Sequence, residues 1–116
     1  MNRINSIEAD GYTIYSCSND CTVRVWDAEM GNCLNIYKFS DPISCIDLKL
    51  ESGKMVTASW DKMIRIVDLE EKQTEKSFVG SEEAIKCIHV SPPYIFVAGC
   101  DPIIRGWNLE VFFKQI

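Results

Sequence analysis

Four groups of side chains in this 116-residue sequence have types and spacings that invite chemistry. Cys17-x3-Cys21 has the spacing of half a zinc site. The other half would need a second cysteine pair or a Cys-x-x-His, and neither follows. His89 is the single histidine. Serines and aspartates are available to it, but no G-x-S-x-G elbow or other nucleophile context accompanies them. No glycine-rich phosphate loop occurs either. Asp20, Asp61 and Asp101 are three carboxylates whose residue type suits a cation, and Arg24, Arg65 and Arg105 three cations whose type suits a phosphate. Their spacing argues otherwise. The aspartates stand 41 and 40 residues apart, and an arginine follows each one four positions later. Groups repeated in phase serve the repeat: each carboxylate accepts turn N–H groups, and each arginine pairs within its own unit. We therefore expect no catalytic residue, no metal and no cofactor.

The elements that carry these groups recur with the same period, and a fixed period near 40 residues decides the architecture. The best-formed copy is Ser18-Asn19-Asp20-Cys21-Thr22-Val23-Arg24-Val25-Trp26-Asp27; the others run from Ala58 to Asp68 and from Ala98 to Asn108. Alternating apolar residues and turn signals place strands around them. In the first unit these are Ile4 to Glu8, Tyr12 to Ser16, Thr22 to Trp26 and Cys33 to Tyr37, with Asp10-Gly11 marking a hairpin. In the second they are Ile43 to Leu48, Lys54 to Ser59, Met63 to Val67 and a polar strand from Gln73 to Phe78 that reads as a solvated edge. In the third they are Ile85 to Val90, Tyr94 to Ala98 and Ile103 to Trp107, with the tail Val111 to Ile116 as candidate fourth strand. The three units span about residues 3–38, 42–79 and 84–116 of a single repeat region. Small residues stand three and two positions before each turn aspartate: Cys17-Ser18, Ala58-Ser59 and Ala98-Gly99. They suggest strands crowding toward an axis.

Bulk properties narrow the function classes. The composition, 47% hydrophobic and 25% charged, is that of a folded domain. A net charge of −5 argues against nucleic-acid binding, which draws on basic surface to release counterions. No apolar run approaches the ~20 residues that span a bilayer, and the first residues lack a signal-peptide apolar core. The expectation is a cytoplasmic or nuclear location, no membrane contact, and six reduced cysteines.

These residues resemble the WD-repeat family of β-propellers. Ser18 to Asp27 matches the family's S-x-D-x-T-x-R-x-W-D ending at every fixed position. The second unit keeps Asp61, Arg65 and Asp68, with Val67 in place of the tryptophan; the third keeps Asp101, Arg105 and Trp107. The resemblance implies an all-β fold, a partial β-propeller of three four-stranded antiparallel blades. It implies structural turn roles for Asp20, Asp61 and Asp101, and structural strand roles for Trp26, Trp107, Asp27 and Asp68. The family's Gly-His dipeptide is missing; Phe39-Ser40 and Gly80-Ser81 fall in its place. An incomplete tie between blades, and lower blade stability, are expected from that. Propellers have four to eight blades. Three leave an open arc, so further blades or self-association are expected to close the ring, and the chain reads as a fragment or short isoform of a longer propeller protein.

The resemblance also implies a function. In the family, the face bearing the turn aspartates and the loops before each first strand binds protein partners. Carried onto this sequence, that face holds Asn19, Trp60 and Cys100, with Asp41, Pro42, Glu82 and Glu83 in its loops. Trp60 stands out because its counterparts are small or polar, and exposed tryptophans anchor interfaces. The loop carboxylates suggest a basic peptide as partner. The expected function is a non-catalytic scaffold or adaptor. One alternative is the substrate-recognition part of a larger regulatory enzyme such as a ubiquitin ligase or kinase. Another is a non-functional truncated product.

Overall fold

The computed structural model describes residues 3–51, 53–109 and, as backbone, 114–115. Twelve strands are described: β1 (Ile4–Asp10), β2 (Thr13–Ser18), β3 (Thr22–Asp27), β4 (Cys33–Lys38), β5 (Ile43–Asp47), β6 (Lys54–Ser59), β7 (Met63–Asp68), β8 (Gln73–Val79), β9 (Ile85–Ser91), β10 (Tyr94–Gly99), β11 (Arg105–Asn108) and β12 (Lys114–Gln115). They form three four-stranded antiparallel sheets in which sequence neighbours pair: β1 to β4, β5 to β8 and β9 to β12. The first strands β1, β5 and β9 lie side by side, so the sheets stack like blades around a common edge. This is the all-β partial propeller that the repeats imply.

The blades superpose residue by residue through their registers. Ile4, Ile43 and Ile85 pair with Ser18, Ser59 and Gly99. Ile7, Ile46 and Ile88 pair with Ser16, Thr57 and Val97. All three blades break register at the same place, a bulge that puts Asn5, Ser44 and Lys86 at equivalent positions on their first strands. The small residues near the axis have the expected reason. Cys17, Ala58 and Ser59 are completely buried, and a Cβ at Gly99 would collide with the Ala84 carbonyl oxygen.

Two cores lie between blades. One joins Tyr15, Cys17, Val23, Val25 and Tyr37 of the first blade to Ile43, Ile46, Met55 and Val67 of the second. The other joins Val56, Ala58, Ile64 and Ile66 of the second to Ile85, Val90, Ile95 and Val97 of the third. Fully burying each large aliphatic side chain stabilises by roughly 1.5–3 kcal/mol, so the stack is held by its blade-to-blade faces. Those faces continue to both ends. Ile4 and Ile7, equivalent to the buried Ile43 and Ile46, are 62% and 63% exposed; Ile104, three residues after its turn aspartate like the buried Val23 and Ile64, is 75% exposed.

Most strand ends fall within one or two residues of expectation, and the departures at β1, β11 and the tail have local causes or consequences. β1 runs on to Asp10, which pairs with Thr13, so the hairpin turns at Gly11-Tyr12, with Gly11 at φ +62°. β11 starts at Arg105, and Ile103 and Ile104 lie outside it. The residue after the turn aspartate adopts left-handed φ in the first two blades, 70° at Cys21 and 74° at Lys62. Pro102 holds that position in the third, and its ring fixes φ near −65°. The third turn therefore takes another path and strand pairing resumes later. Finally, of the tail expected as fourth strand, Lys114 and Gln115 pair with Asn108 and Trp107; Val111, Phe112, Phe113 and Ile116 lie outside the described residues. The polar β8 is exposed along its length except at Phe78, as an outer edge should be.

Candidate functional site

Each turn carboxylate is bound to its own arginine. Asp61 accepts hydrogen bonds from the Met63 N–H at 3.0 Å and from Arg65 Nη2 at 2.6 Å, and the Ser59 hydroxyl also donates to it. Asp101 receives Arg105 Nη2 at 3.0 Å, and Asp20 receives Arg24 Nη2 at 3.2 Å and the Thr22 N–H at 3.1 Å. The titration behaviour follows. Burial pushes Asp61 up, but the hydrogen bonds from Arg65, Ser59 and Met63 outweigh it and hold the carboxyl below its ordinary value. Arg105 does the same for Asp101, and the Thr22 hydroxyl leads the lowering at Asp20. These are committed turn groups. Among the described residues no three His, Cys, Asp or Glu side chains gather to hold a metal ion.

Asp27 and Asp68 close the next turn. Asp27 accepts from the N–H groups of Glu29 and Met30, and Asp68 from those of Glu70 and Glu71. The strand tryptophans are anchored by their indoles: Trp26 Nε1 donates to Ser16 Oγ at 3.0 Å within the first blade, and Trp107 Nε1 of the third blade donates to the Gly80 carbonyl, just after β8, at 3.2 Å. Ser81 accepts from Arg105 Nη1 at 3.0 Å. Gly80-Ser81 thus takes up the linking role expected of a Gly-His dipeptide. Phe39 fills the same place in the second blade by lying 5.9 Å from the Arg65 guanidinium.

The thiols are separate. Cys17 is fully buried, which pushes its pKa up to about 11, whereas Cys21 turns its sulfur toward the Asn19 carbonyl. Cys45 and Cys87 occupy the same first-strand position, opposite Ala58 and Ala98. All six cysteines are free. His89 is exposed, opposite Phe96, at the position that Asp47 holds in the second blade.

What remains is the face that carries the turns. There the residues before each turn aspartate sit beside the chain entering each first strand. Asn19 N–H donates to the Arg3 carbonyl at 2.9 Å, Trp60 N–H to that of Pro42 at 3.3 Å, and Cys100 N–H to that of Ala84 at 3.2 Å. Between them opens a cavity of about 590 Å³ lined by Arg3, Asn5, Ser44, Trp60, Ala84, Lys86 and Cys100. Trp60 is 47% exposed at its edge. Asn5 Nδ2 donates to Asn19 Oδ1 at 2.7 Å and to the Ile43 carbonyl at 2.9 Å; Ser44 Oγ donates to the Ala58 carbonyl at 3.0 Å and also to that of Ile85.

Of the expected contact residues, the cavity brings together Trp60 and Cys100. Asn19 is half-buried behind it, held by Asn5. Asp41, Pro42, Glu82 and Glu83 do not line it. Asp41 and Pro42 are half-buried, while Glu82 and Glu83 are exposed. Glu82 lies 4.0 Å from Arg105. The cavity residues that sequence reasoning missed are Arg3, Asn5, Ser44, Ala84 and Lys86. Three of them are the bulge residues, and period-2 alternation predicts regular strands there.

The comparisons with known proteins agree with this geometry. The family model "WD domain, G-beta repeat" matches residues 2–27 and 31–68. The Target of rapamycin complex subunit LST8 of Mus musculus is 29% identical over 104 residues, which cover 86% of this chain and 32% of that protein. The Ribosome biogenesis protein WDR12 homolog of Anopheles gambiae is 30% identical over 107 residues, 85% of this chain and 24% of that protein. The chain thus spans about a third or less of these relatives. The solved structure of U3-55K aligns over 100% of this chain and 38% of its own, with a TM-score of 0.86 and 17% identity. The RRP9 WD40 repeats align with a TM-score of 0.85, also at 17% identity, which speaks for the fold. The third sheet lies beyond the family match, yet repeats the same register and the same turn pair, Asp101 with Arg105. With in-phase turn ion pairs, three stacked four-stranded blades and a family model that matches both of the first two, this chain belongs to the WD domain, G-beta repeat family.

Proposed function

We propose that this chain is a non-catalytic scaffold or adaptor that binds a protein partner through the face around Trp60. One observation carries the reading: a tryptophan that no blade requires stands half-exposed at the edge of a cavity of about 590 Å³. Its equivalents Asn19 and Cys100 are polar or small. Tryptophan offers large, rigid area at low entropic cost and is enriched among residues that dominate binding energy. The turn aspartates, their arginines and the strand tryptophans are taken up by turns and strand ties, which supports this face as the place of recognition. Its location is proposed to be cytoplasmic or nuclear, in keeping with six free thiols.

A second reading is that these blades are the recognition part of a larger regulatory assembly. It is favoured by the similarity to LST8, which is named as a subunit of the Target of rapamycin complex. Both readings use the same face. The test is affinity purification of the tagged chain and its Trp60→Ala variant, with partners compared by quantitative mass spectrometry. Loss of a hot-spot tryptophan costs 2 kcal/mol or more, roughly a 30-fold loss of affinity. Specific partners should therefore fall away from the variant. Unchanged recovery of every partner would remove Trp60 from the site.

The expectation of a basic partner rested on carboxylates surrounding Trp60. Asp41 and Glu83 adjoin in sequence Pro42 and Ala84, whose carbonyls accept from the N–H groups of Trp60 and Cys100, and with Glu82 they make the rim of our reading; the cavity itself is lined by two cations and no carboxylate. A partner confined to the rim would be basic. One that enters the cavity would be acidic.

A further inference from the structure

We infer that the cavity beside Trp60 takes an acidic segment of a partner protein, whose carboxylates pair with Arg3 and Lys86. This rests on the reading of the Trp60 face as the partner-binding surface and gives it a charge. Both cations depart from the repeat. Arg3 stands where the other blades have Pro42 and Ala84, and Lys86 stands at the bulge position that holds Asn5 and Ser44 elsewhere. The neutral equivalents show that the blade itself needs no charge at either place.

Each neutral bulge residue has a structural task. Asn5 and Ser44 donate to the carbonyl of the first strand-residue of the following blade, Ile43 and Ile85. Lys86 is longer and its ammonium carries three donors. A following blade would occupy one of them and leave two for a ligand. Arg3 and Lys86 are exposed, and no ion pair involving either is found among the described residues.

Charge selects the occupant. The cavity wall offers two cations, an indole and no carboxylate, which complements a peptide with acidic side chains flanked by apolar ones. The whole chain carries −5, so it repels polyanions in general. Retention of an acidic peptide therefore reports on this site. The partner's acidic residues would reach Arg3 and Lys86 while its apolar residues cover Trp60.

The test is fluorescence anisotropy of fluorescein-labelled hexaglutamate and hexalysine titrated with the purified chain at low and high salt. Each variant is first checked for its far-UV β-sheet signal. The native chain should bind hexaglutamate more tightly than hexalysine, with an affinity that falls as salt rises. Arg3→Glu with Lys86→Glu should weaken hexaglutamate on the order of tenfold or more and reverse the order of the two peptides. Arg3→Gln with Lys86→Gln should weaken it without reversal, which serves if the reversed pair loses its β signal. Neutralising the rim with Asp41→Asn, Glu82→Gln and Glu83→Gln should leave hexaglutamate binding intact or improve it. Tighter binding of hexalysine to the native chain, or hexaglutamate binding indifferent to both Arg3/Lys86 variants, would overturn the inference. The Trp60→Ala affinity purification separates this from failure of the underlying reading, because the two homopeptides carry no apolar side chain to cover the indole. If partners are lost from Trp60→Ala while the native chain prefers hexalysine, the face stands and its charge is wrong. If every partner is recovered unchanged, the face itself is wrong.

Discussion

Thr57 is completely buried and its hydroxyl has no hydrogen-bond partner among the described residues. Its neighbours explain the vacancy. In the first blade the equivalent Ser16 accepts from the indole of Trp26. In the second blade the tryptophan position is Val67, which has nothing to donate. In the third blade the threonine position is Val97, and the Trp107 indole turns to the Gly80 carbonyl instead. A buried unpaired hydroxyl costs about 1–3 kcal/mol. Thr57→Val should therefore stabilise the chain by about 1 kcal/mol, read as a higher urea midpoint at unchanged slope. A lower midpoint would show that the hydroxyl has a partner after all. The turn aspartates set the acid limb of stability. Asp61 has an ordinary value of 3.8 and a folded-state value below it. Its contribution is complete above the unfolded value and is lost as pH falls from there through the folded value. Stability should drop as pH is lowered below about 4, and Asp61→Asn should flatten that drop while costing about 2 kcal/mol at pH 7 for the lost charge-assisted bonds. Parallel acid curves for variant and native chain would contradict this. At the residue scale the sequence marked which aspartates, arginines and tryptophans recur in phase, because position in a repeat is visible in one dimension. The consequence of Val67 for Thr57 was hidden, since it depends on which side chains face each other across β6 and β7.

Strand boundaries show how one residue redirects an element. The first two turns tolerate Cys21 and Lys62 at left-handed φ, while Pro102 forbids it and delays β11 to Arg105. Pro102→Gly should restore the turn and return Ile103 and Ile104 to the strand. Amide hydrogen exchange would report it as new protection at Ile104, an amide that lies outside any strand in the native chain. No gain in protection would mean that something other than the proline holds that segment out. The sequence placed the strands because turn chemistry and alternation both mark them. It missed this start because Ile103-Ile104 continues the apolar pattern that a strand would show. The cavity was illegible for a similar reason. Its wall is drawn from the bulges of three first strands, and alternation carries no mark of a bulge.

The molecule as a whole is a stack in which the apolar faces between blades are matched to each other and the two end faces are left open. Ile43 and Ile46 are buried because the first blade covers them, and Ile64 because the third does. Ile4, Ile7 and Ile104 are the same positions at the two ends, and they are exposed. The partner binding proposed above is placed on the turn-bearing face because the end faces carry the apolar positions that elsewhere meet a neighbouring blade. The open arc was foreseeable from counting repeats against the four to eight of closed propellers. Which residues are laid bare required the registers. Blade-to-blade faces hold this molecule together, and both ends continue them. Size-exclusion chromatography with light scattering tests this most directly, on the native chain and on a variant carrying Ile4→Lys, Ile7→Lys and Ile104→Lys. The account predicts that the native chain associates to masses above 13.2 kDa and that the variant elutes as a folded monomer. A native chain that stays monomeric at 13.2 kDa across the same concentrations, with its β-sheet signal intact, would contradict it.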